Sequence, residues 1–492
     1  MVELWDLSVV IPWLLGIMFG LFVGSTPGLT ATMAVALVVP VSFHIDNQLG
    51  GLALILGVSF TSIFAGDLPA TFLKIPGTPA SAAATLDSYE LNKKGQGGKA
   101  IHVNLICSCI GGVIGVLGLT FFGPLIAKWS LRMDSPEYFW LAVLGISISA
   151  IVSGKNLAMG IMSASLGVFL STIGMDSING AQRWTFKAMD LQEGIQLIPM
   201  MIGLYGLAEI LNRNFKGFGP SSNNWKAVSL NHSMASAIRA VIKHPITVVR
   251  SSFLGCLIGA LPGAGADIGA WVGYGSAKKF SKNKDKFGQG EIEGVIAPTS
   301  ANNASVAGAW IPALVFGIPG DAVTAIVLGA LIMYDIEPGP AVFSPHEGSK
   351  IPSLLWIAGL TQVFLFFLGL VGVRCFSLIL RLPPKVLEGL ILVFCIVGSY
   401  AIRSSVFDLW VMSLFGLVGW FMNAKSIPVA PLLLGFILGE TIEKELRSGL
   451  ISHSGSFTPF ISSPFFALLL AAFGLTFIVG KLSDKRNAKL NQ

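Results

Sequence analysis

Charged side chains are scarce in this chain. Asp, Glu, Lys and Arg make up 12% of its 492 residues, about half the share that a soluble globular protein carries. Cysteine and histidine are scarcer still. The five cysteines, Cys107, Cys109, Cys256, Cys375 and Cys395, all fall in apolar stretches, where a thiol serves as a small packing group. Cys107-x-Cys109 is not a zinc spacing, and the six histidines are scattered, so no metal site is expected. "GQGGKA" (95–100) lacks the Gly-x4-Gly-Lys-Ser/Thr spacing of a phosphate-binding loop, and "HEGSK" (346–350) lacks the second histidine of a zinc protease. With no ATPase motif, any transport work would have to draw on an ion gradient. No Lys or Arg precedes the first apolar run, Val9 to Val23, and no small-residue cleavage site follows it cleanly. That run reads as a membrane segment and not as a secretion signal.

Apolar residues are abundant, at 53%, with a mean hydropathy of +0.74. Runs such as "IPSLLWIAGLTQVFLFFLGLVGV" (351–373) are long enough to cross the hydrocarbon core as helices. Barrel strands would be short and alternating. The expectation is an all-α polytopic membrane protein with about 12 crossings, plus segments that enter and turn back. Basic residues collect at Lys93, Lys94 and Lys99, over 212–245, at Lys278 to Lys286 and in the tail from Lys481. The positive-inside rule puts these in the cytoplasm and the N-terminus outside. The net charge of +6 then reflects topology and contact with anionic lipid, not nucleic acid. The expected organisation is a membrane repeat over 1–212, a cytoplasmic polar linker over 213–245, a second repeat with additional helices over 246–480, and a basic tail over 481–492.

The halves echo each other. "GSTPGLTATMAVALVVP" (24–40) precedes "LKIPGTPASAAATLDSYE" (73–90), and "GALPGAGADIGAWVGY" (259–274) precedes "FGIPGDAVTAIVLGALIMY" (316–334). Each half carries a Pro-Gly and then an Ile-Pro-Gly, both followed by small residues. Proline removes a backbone donor and clashes with the previous turn, and glycine lets the chain bend. The peptide groups so freed are tolerated at membrane depth only inside protein or along a wet cavity. Inverted repeats of discontinuous helices, with the substrate near the midplane, are a common plan of secondary transporters. Candidate substrate-binding positions are therefore Pro27, Gly28, Thr30, Thr32, Pro76, Gly77, Thr78, Pro262, Gly263, Gly265, Pro319 and Gly320. Asn302 and Asn303 add amide groups at the same depth.

Four ionisable residues lie within a turn or two of a break, where a charge usually faces a cavity and has a partner. Lys74 is expected to pair with a substrate carboxylate, or with Asp67 when the site is empty. Asp67, Asp267 and Asp321 are candidates for holding a coupling cation, sodium or proton. Glu209 and Arg250 lie near segment ends and read as interfacial.

The stretch "GEIEGVIAPTSANNASVAGAWIPALVFGIPGD" resembles the large membrane subunit of the tripartite tricarboxylate transporters. "PGLTATMAVALVVP", "IPGTPASAAATLDSYELNKKGQGGKA", "IGMDSINGAQRWTFKAMDLQEGI", "LPGAGA", "FGQGEIEGV" and "EPGP" extend the resemblance in order along nearly the whole chain. The resemblance implies a bacterial inner-membrane uptake permease for a small carboxylate. A small four-helix membrane subunit and an extracytoplasmic solute-binding protein would be its partners. This chain departs from the family where Thr299 and Ala277 replace frequent glutamates, where Ser88 replaces glycine, and where Lys74 replaces a frequent asparagine. Asp67, Asp267 and Asp321 stand where small or hydroxyl residues are more usual. Two other classes compete. An intramembrane aspartyl protease would need a Gly-x-Gly-Asp to match Tyr334-Asp335, and none is present. A channel or scaffold would differ from a carrier by lacking substrate counterflow.

Overall fold

A computed structural model describes residues 2–26, 29–152, 157–176, 178–216, 233–343, 350–379, 384–401 and 403–470. It is helical almost throughout. In chain order the helices are α1 (Leu7–Ser25), α2 (Ala31–Ser42), α3 (Gln48–Ala65), α4 (Asp67–Leu73), α5 (Ala82–Lys93), α6 (Gly97–Ser130), α7 (Ser135–Val152) and α8 (Leu157–Ser171). After a two-residue hairpin, β1 (Gly174–Met175) with β2 (Gln182–Arg183), come α9 (Leu197–Met201), α10 (Ala208–Lys216), α11 (Ser233–Lys243), α12 (Pro245–Gly259), α13 (Gly265–Phe280) and α14 (Glu293–Phe316). The chain continues through α15 (Ala322–Met333), α16 (Ile351–Ile379), α17 (Pro384–Ala401), α18 (Val406–Ala424), α19 (Ala430–Ser452) and α20 (Thr458–Ser462).

Among the described residues, five helices are long and apolar enough to cross a membrane, or six if the pair α11–α12, bent by 79°, is one span. Several further apolar runs fold as shorter pieces. α2 and α15 have 12 residues each and reach only about 18 Å, short of the roughly 30 Å hydrocarbon core. Each follows a break, as the Pro-Gly motifs require. The expected polar linker also contains structure: α11 is amphipathic, and its Ala237, Ala240 and Val241 pack with Val103, Val248 and Val295. Residues 217–232 and the basic tail lie outside the described residues.

The chain forms two compact units, Met1–Lys128 with Gln196–Ser426, and Trp129–Ile195 with Ile427–Gln492. In the first, α3 and α14 are the innermost helices: Leu49 to Thr71 are all buried, and so are Glu293 to Val315 of α14. α1 packs on α3 and α12 on α14, both in the same manner. A Cβ at Gly24 would stand 2.3 Å from the Ser62 carbonyl, and one at Gly259 would stand 2.2 Å from that of Ser305. Only glycine permits backbones this close. Ser62 precedes Pro76 by the same number of residues as Ser305 precedes Pro319, so the two helix pairs share one register. Their relation is reciprocal: α5 packs on α13, and α15 on α2.

In the second unit, α7 and α8 pack on α19. Trp140 Nε1 donates to the Phe460 carbonyl at 2.7 Å. Asp176, in the hairpin, takes a hydrogen bond from Arg447 at 2.7 Å, and Glu443 accepts from Arg183 at 2.7 Å and Arg447 at 3.0 Å. The Arg447 bond, and then the backbone amide of Ile178, hold the Asp176 carboxyl at about 2.

Two outcomes are expected. Gly259→Val should lower the thermal stability of the detergent-solubilised protein by about 1–3 kcal/mol through overpacking, whereas Gly275→Val, with nothing within 4 Å of its added Cβ, should change it by less than about 0.5 kcal/mol. Because its folded pKa lies below the unfolded value, Asp176 contributes stability above pH about 4 and loses that contribution as pH falls toward 2. Asp176→Asn should therefore lower the melting temperature at pH 7, and the difference from the parent protein should vanish at the acid end.

Candidate functional site

The two Ile-Pro-Gly segments are the same structure built twice. Each begins at a proline six residues upstream of the isoleucine, Pro69 and Pro312. Each helix then ends on a left-handed residue, Lys74 with φ 62° and Gly317 with φ 67°, a usual way to stop a helix. The next amide turns back onto the proline carbonyl: Ile75 to Pro69 at 3.4 Å, Ile318 to Pro312 at 3.2 Å. Gly77 and Gly320 follow. A Cβ on Gly77 would meet the Gly24 carbonyl at 2.6 Å and the Gly66 Cα at 2.7 Å, and one on Gly320 would meet the Gly259 carbonyl at 2.8 Å and the Ala309 Cα at 2.7 Å. Within each half the two breaks are thus brought together. The next residue pairs with the hydroxyl three positions on: Thr78 with Ser81 at 2.9 Å, and Asp321 with Thr324 at 2.8 Å.

The Pro-Gly breaks match as well. Leu29 N–H donates to Thr26 and Ala264 N–H to Leu261, both at 3.1 Å, at equivalent places in their turns. Pro27 and Gly28 themselves lie outside the described residues. Thr30 caps α2 by accepting from the Met33 amide at 3.2 Å, and Thr32 sits half-buried in the first turn. Pro262 and Gly263 are half-buried, and Gly265 opens α13 with φ 59°, so close to Asp321 that a Cβ there would come within 2.6 Å of the Asp321 Cβ. Pro319 is buried and Pro76 exposed. Across the halves, the 3-10 turn Pro79–Ser81 packs on α13 and α14.

The ionisable candidates separate into different environments. Asp321 is a helix cap: its carboxylate accepts from the Thr324 amide at 2.8 Å, and Thr324 returns its hydroxyl to the Asp321 carbonyl at 3.0 Å. Asp267 is exposed in the first turn of α13. Asp67 has no exposure, and neither of its oxygens has a hydrogen-bond partner among the described residues. Lys74 does not pair with it. That side chain is exposed, with Nζ 5.6 Å from the Tyr89 ring centroid; the expected empty-site ion pair is absent because the two groups lie in different environments, one in the core and one at the surface. Asn302 and Asn303 are both fully buried, and all four of their amide atoms have no hydrogen-bond partner among the described residues.

Three groups went unnoticed in the sequence. Asn104 of α6 donates to Thr71 at 3.4 Å and accepts from Thr299 at 2.8 Å, linking α4 to α14. Asp87 of α5 is a buried carboxylate accepting the amides of Gly288, Gly290 and Glu291 at 2.8–3.0 Å and the Tyr274 hydroxyl at 3.0 Å. Glu293 accepts from Thr247 at 2.8 Å and from Ser281. Single polar residues inside small-residue helices were the one available signal.

Paired broken-helix hairpins, set in an apolar helical bundle and related by an internal repeat, are the architecture of a membrane carrier. The chain belongs to the Tripartite tricarboxylate transporter TctA family, whose profile matches residues 10–434. It is 33% identical over 466 residues to an "Uncharacterized 52.8 kDa protein in TAR-I ttuC' 3'region" of Agrobacterium vitis, covering 94% of this chain and 91% of that one. An "Uncharacterized protein in TAR-II ttuC' 3'region" of the same organism is 36% identical over 240 residues, 48% of this chain and 98% of the other. No solved structure matches the chain. This is the large membrane component of a transporter.

The cap assigned to Asp321 makes a clear distinction. Asp321→Asn, which can still accept from the Thr324 amide, should keep the parent melting temperature, whereas Asp321→Ala should lose about 1 kcal/mol, read by thermal unfolding.

Proposed function

We propose that this chain is the permease of an ion-gradient-driven uptake system for a small organic anion, a di- or tricarboxylate. An extracytoplasmic solute-binding protein delivers the substrate, and a small four-helix membrane subunit completes the complex. The permease sits in the bacterial inner membrane with its N-terminus outside and its C-terminus in the cytoplasm, in keeping with the placement of Lys93, Lys94, Lys99 and the run Lys278 to Lys286. The substrate binds between the two hairpins, and one repeat moves against the other to expose it to each side in turn.

One observation carries this reading. Lys74 occupies a left-handed position where its counterpart is Gly317. A side chain there costs about 1–2 kcal/mol that glycine would not, so the hairpin retains a cation at a structural disadvantage. Strain of this kind gathers at ligand clamps. An ammonium at the rim of the hairpin, beside Tyr89, is the partner a substrate carboxylate needs. Not all of the helix N-termini after the breaks are free to bind it, because Thr30 and Asp321 already accept from their own first turns.

Lys74→Gly is the discriminating variant. In proteoliposomes supplied with the binding protein and a panel of di- and tricarboxylates, it should weaken uptake at least about tenfold, the effect of losing one charge-assisted contact. Its melting temperature should stay level or rise as the strain is removed. Unchanged uptake together with raised stability would leave Lys74 a structural accident. Absence of counterflow in the parent protein would make it a channel.

A further inference from the structure

The interface between α3–α4 and α14 has two ends of opposite character. Phe60 stacks on Trp310, with ring centroids 6.3 Å apart. Toward the other end, Thr71 and Thr299 share the amide of Asn104. Phe60 precedes Thr71 on one strand of the pair, and Trp310 follows Thr299 on the other, so the helices run antiparallel in a fixed register. That register sets Asp67, seven residues past Phe60, opposite Asn303, seven before Trp310.

The internal repeat sharpens the contrast. Aligning Pro76 on Pro319 superposes Asp67 on Trp310, Asn303 on Phe60, Thr71 on Leu314 and Thr299 on Leu56. The second member of each superposed pair lines one apolar cavity. One end of the interface is therefore closed by four apolar side chains, and the symmetry-related end presents an acid, an amide and two hydroxyls. Asp67 and Asn303 have zero exposure, and their carboxylate and amide atoms have no hydrogen-bond partners among the described residues. The Ser81 hydroxyl, bonded to Thr78, lies beside Gly66, the residue before Asp67: a Cβ on Gly66 would meet it at 2.8 Å. A buried carboxylate facing an amide without bonding to it leaves a gap that something must fill, because unsatisfied groups of this kind are rare and costly.

We propose that this gap is a monovalent-cation site, taking sodium, with Asp67 supplying the charge and the Asn303 amide oxygen and Ser81 hydroxyl the neutral ligands. Water alone would hydrogen-bond but would leave a full negative charge in a dry core. A divalent ion calls for more anionic oxygens, and no group of three or more His, Cys, Asp or Glu side chains capable of holding a metal is found among the described residues. The hard oxygen donors suit an alkali cation. The proposal deepens the transport reading and rests on it for the site's purpose, which is to couple uptake to the sodium gradient.

The test is thermal unfolding of the purified full-length protein, without substrate, in sodium chloride against choline chloride at constant ionic strength. Sodium should raise the melting temperature saturably and choline should not. Asp67→Asn and Asn303→Ala should each raise the sodium midpoint at least about tenfold, the equivalent of 1.4 kcal/mol. Trp310→Phe, at the symmetry-related position, should leave the midpoint unchanged. An equal midpoint in the parent and both site variants overturns the proposal, as does a melting temperature that follows pH and ignores sodium. If Asp67→Asn does not fold, Asn303→Ala decides. Because the measurement uses no carboxylate, sodium binding without carboxylate uptake would reject the transport reading and keep the site. Carboxylate uptake without Asp67-dependent stabilisation would do the reverse.

Discussion

A peptide group that leaves a helix at membrane depth has no water to fall back on. That constraint governs this fold. The chain stops four helices with Pro-Gly motifs, and among the described residues these stops are closed by local means: a left-handed residue or an amide turned back onto a proline carbonyl, and at Asp321 a side chain capping the next helix. Glycine contacts at Gly24 and Gly259 draw α1 and α12 tightly over the innermost helices α3 and α14.

The repeat keeps its backbone and varies its side chains. Lys74 and Gly317 share a conformation; Thr78 and Asp321 each pair with the hydroxyl three positions on; Asp67 and Trp310 occupy equivalent positions of the repeat. Charge has moved among positions that the geometry holds fixed. In the second half the acid sits at the cap, where two donors from Thr324 satisfy it. In the first half Thr78 and Ser81 pair their hydroxyls, and the acid opens α4 without a hydrogen-bond partner among the described residues. Similar scaffolds with unlike polar content give a two-fold arrangement one polar end and one apolar end.

Membrane class, helical fold and the order of the breaks were legible in the sequence, because hydropathy and proline chemistry act locally. The repeat was harder to see. Pro27 to Pro76 spans 49 positions and Pro262 to Pro319 spans 57, which suggests a loose match. The structure shows close agreement on both sides of the mismatch and places the excess between α13 and α14, in the lysine-rich segment. The recurrence of Pro69 and Pro312 ahead of each Ile-Pro-Gly could have revealed it. The partner of Lys74 was not legible, since proximity in sequence to Asp67 says nothing about which side of the turn each side chain leaves. Nor was the role of Asp87, whose partners lie some two hundred residues away.

That last carboxylate ties the two halves mechanically. Asp87 belongs to α5 of the first repeat, and the three amides it holds belong to the segment leading into α14 of the second. Sliding α5 past that segment would strip a buried anion of three donors at once. The repeats are in effect riveted there, and whatever opens and shuts in this protein must pivot around that rivet.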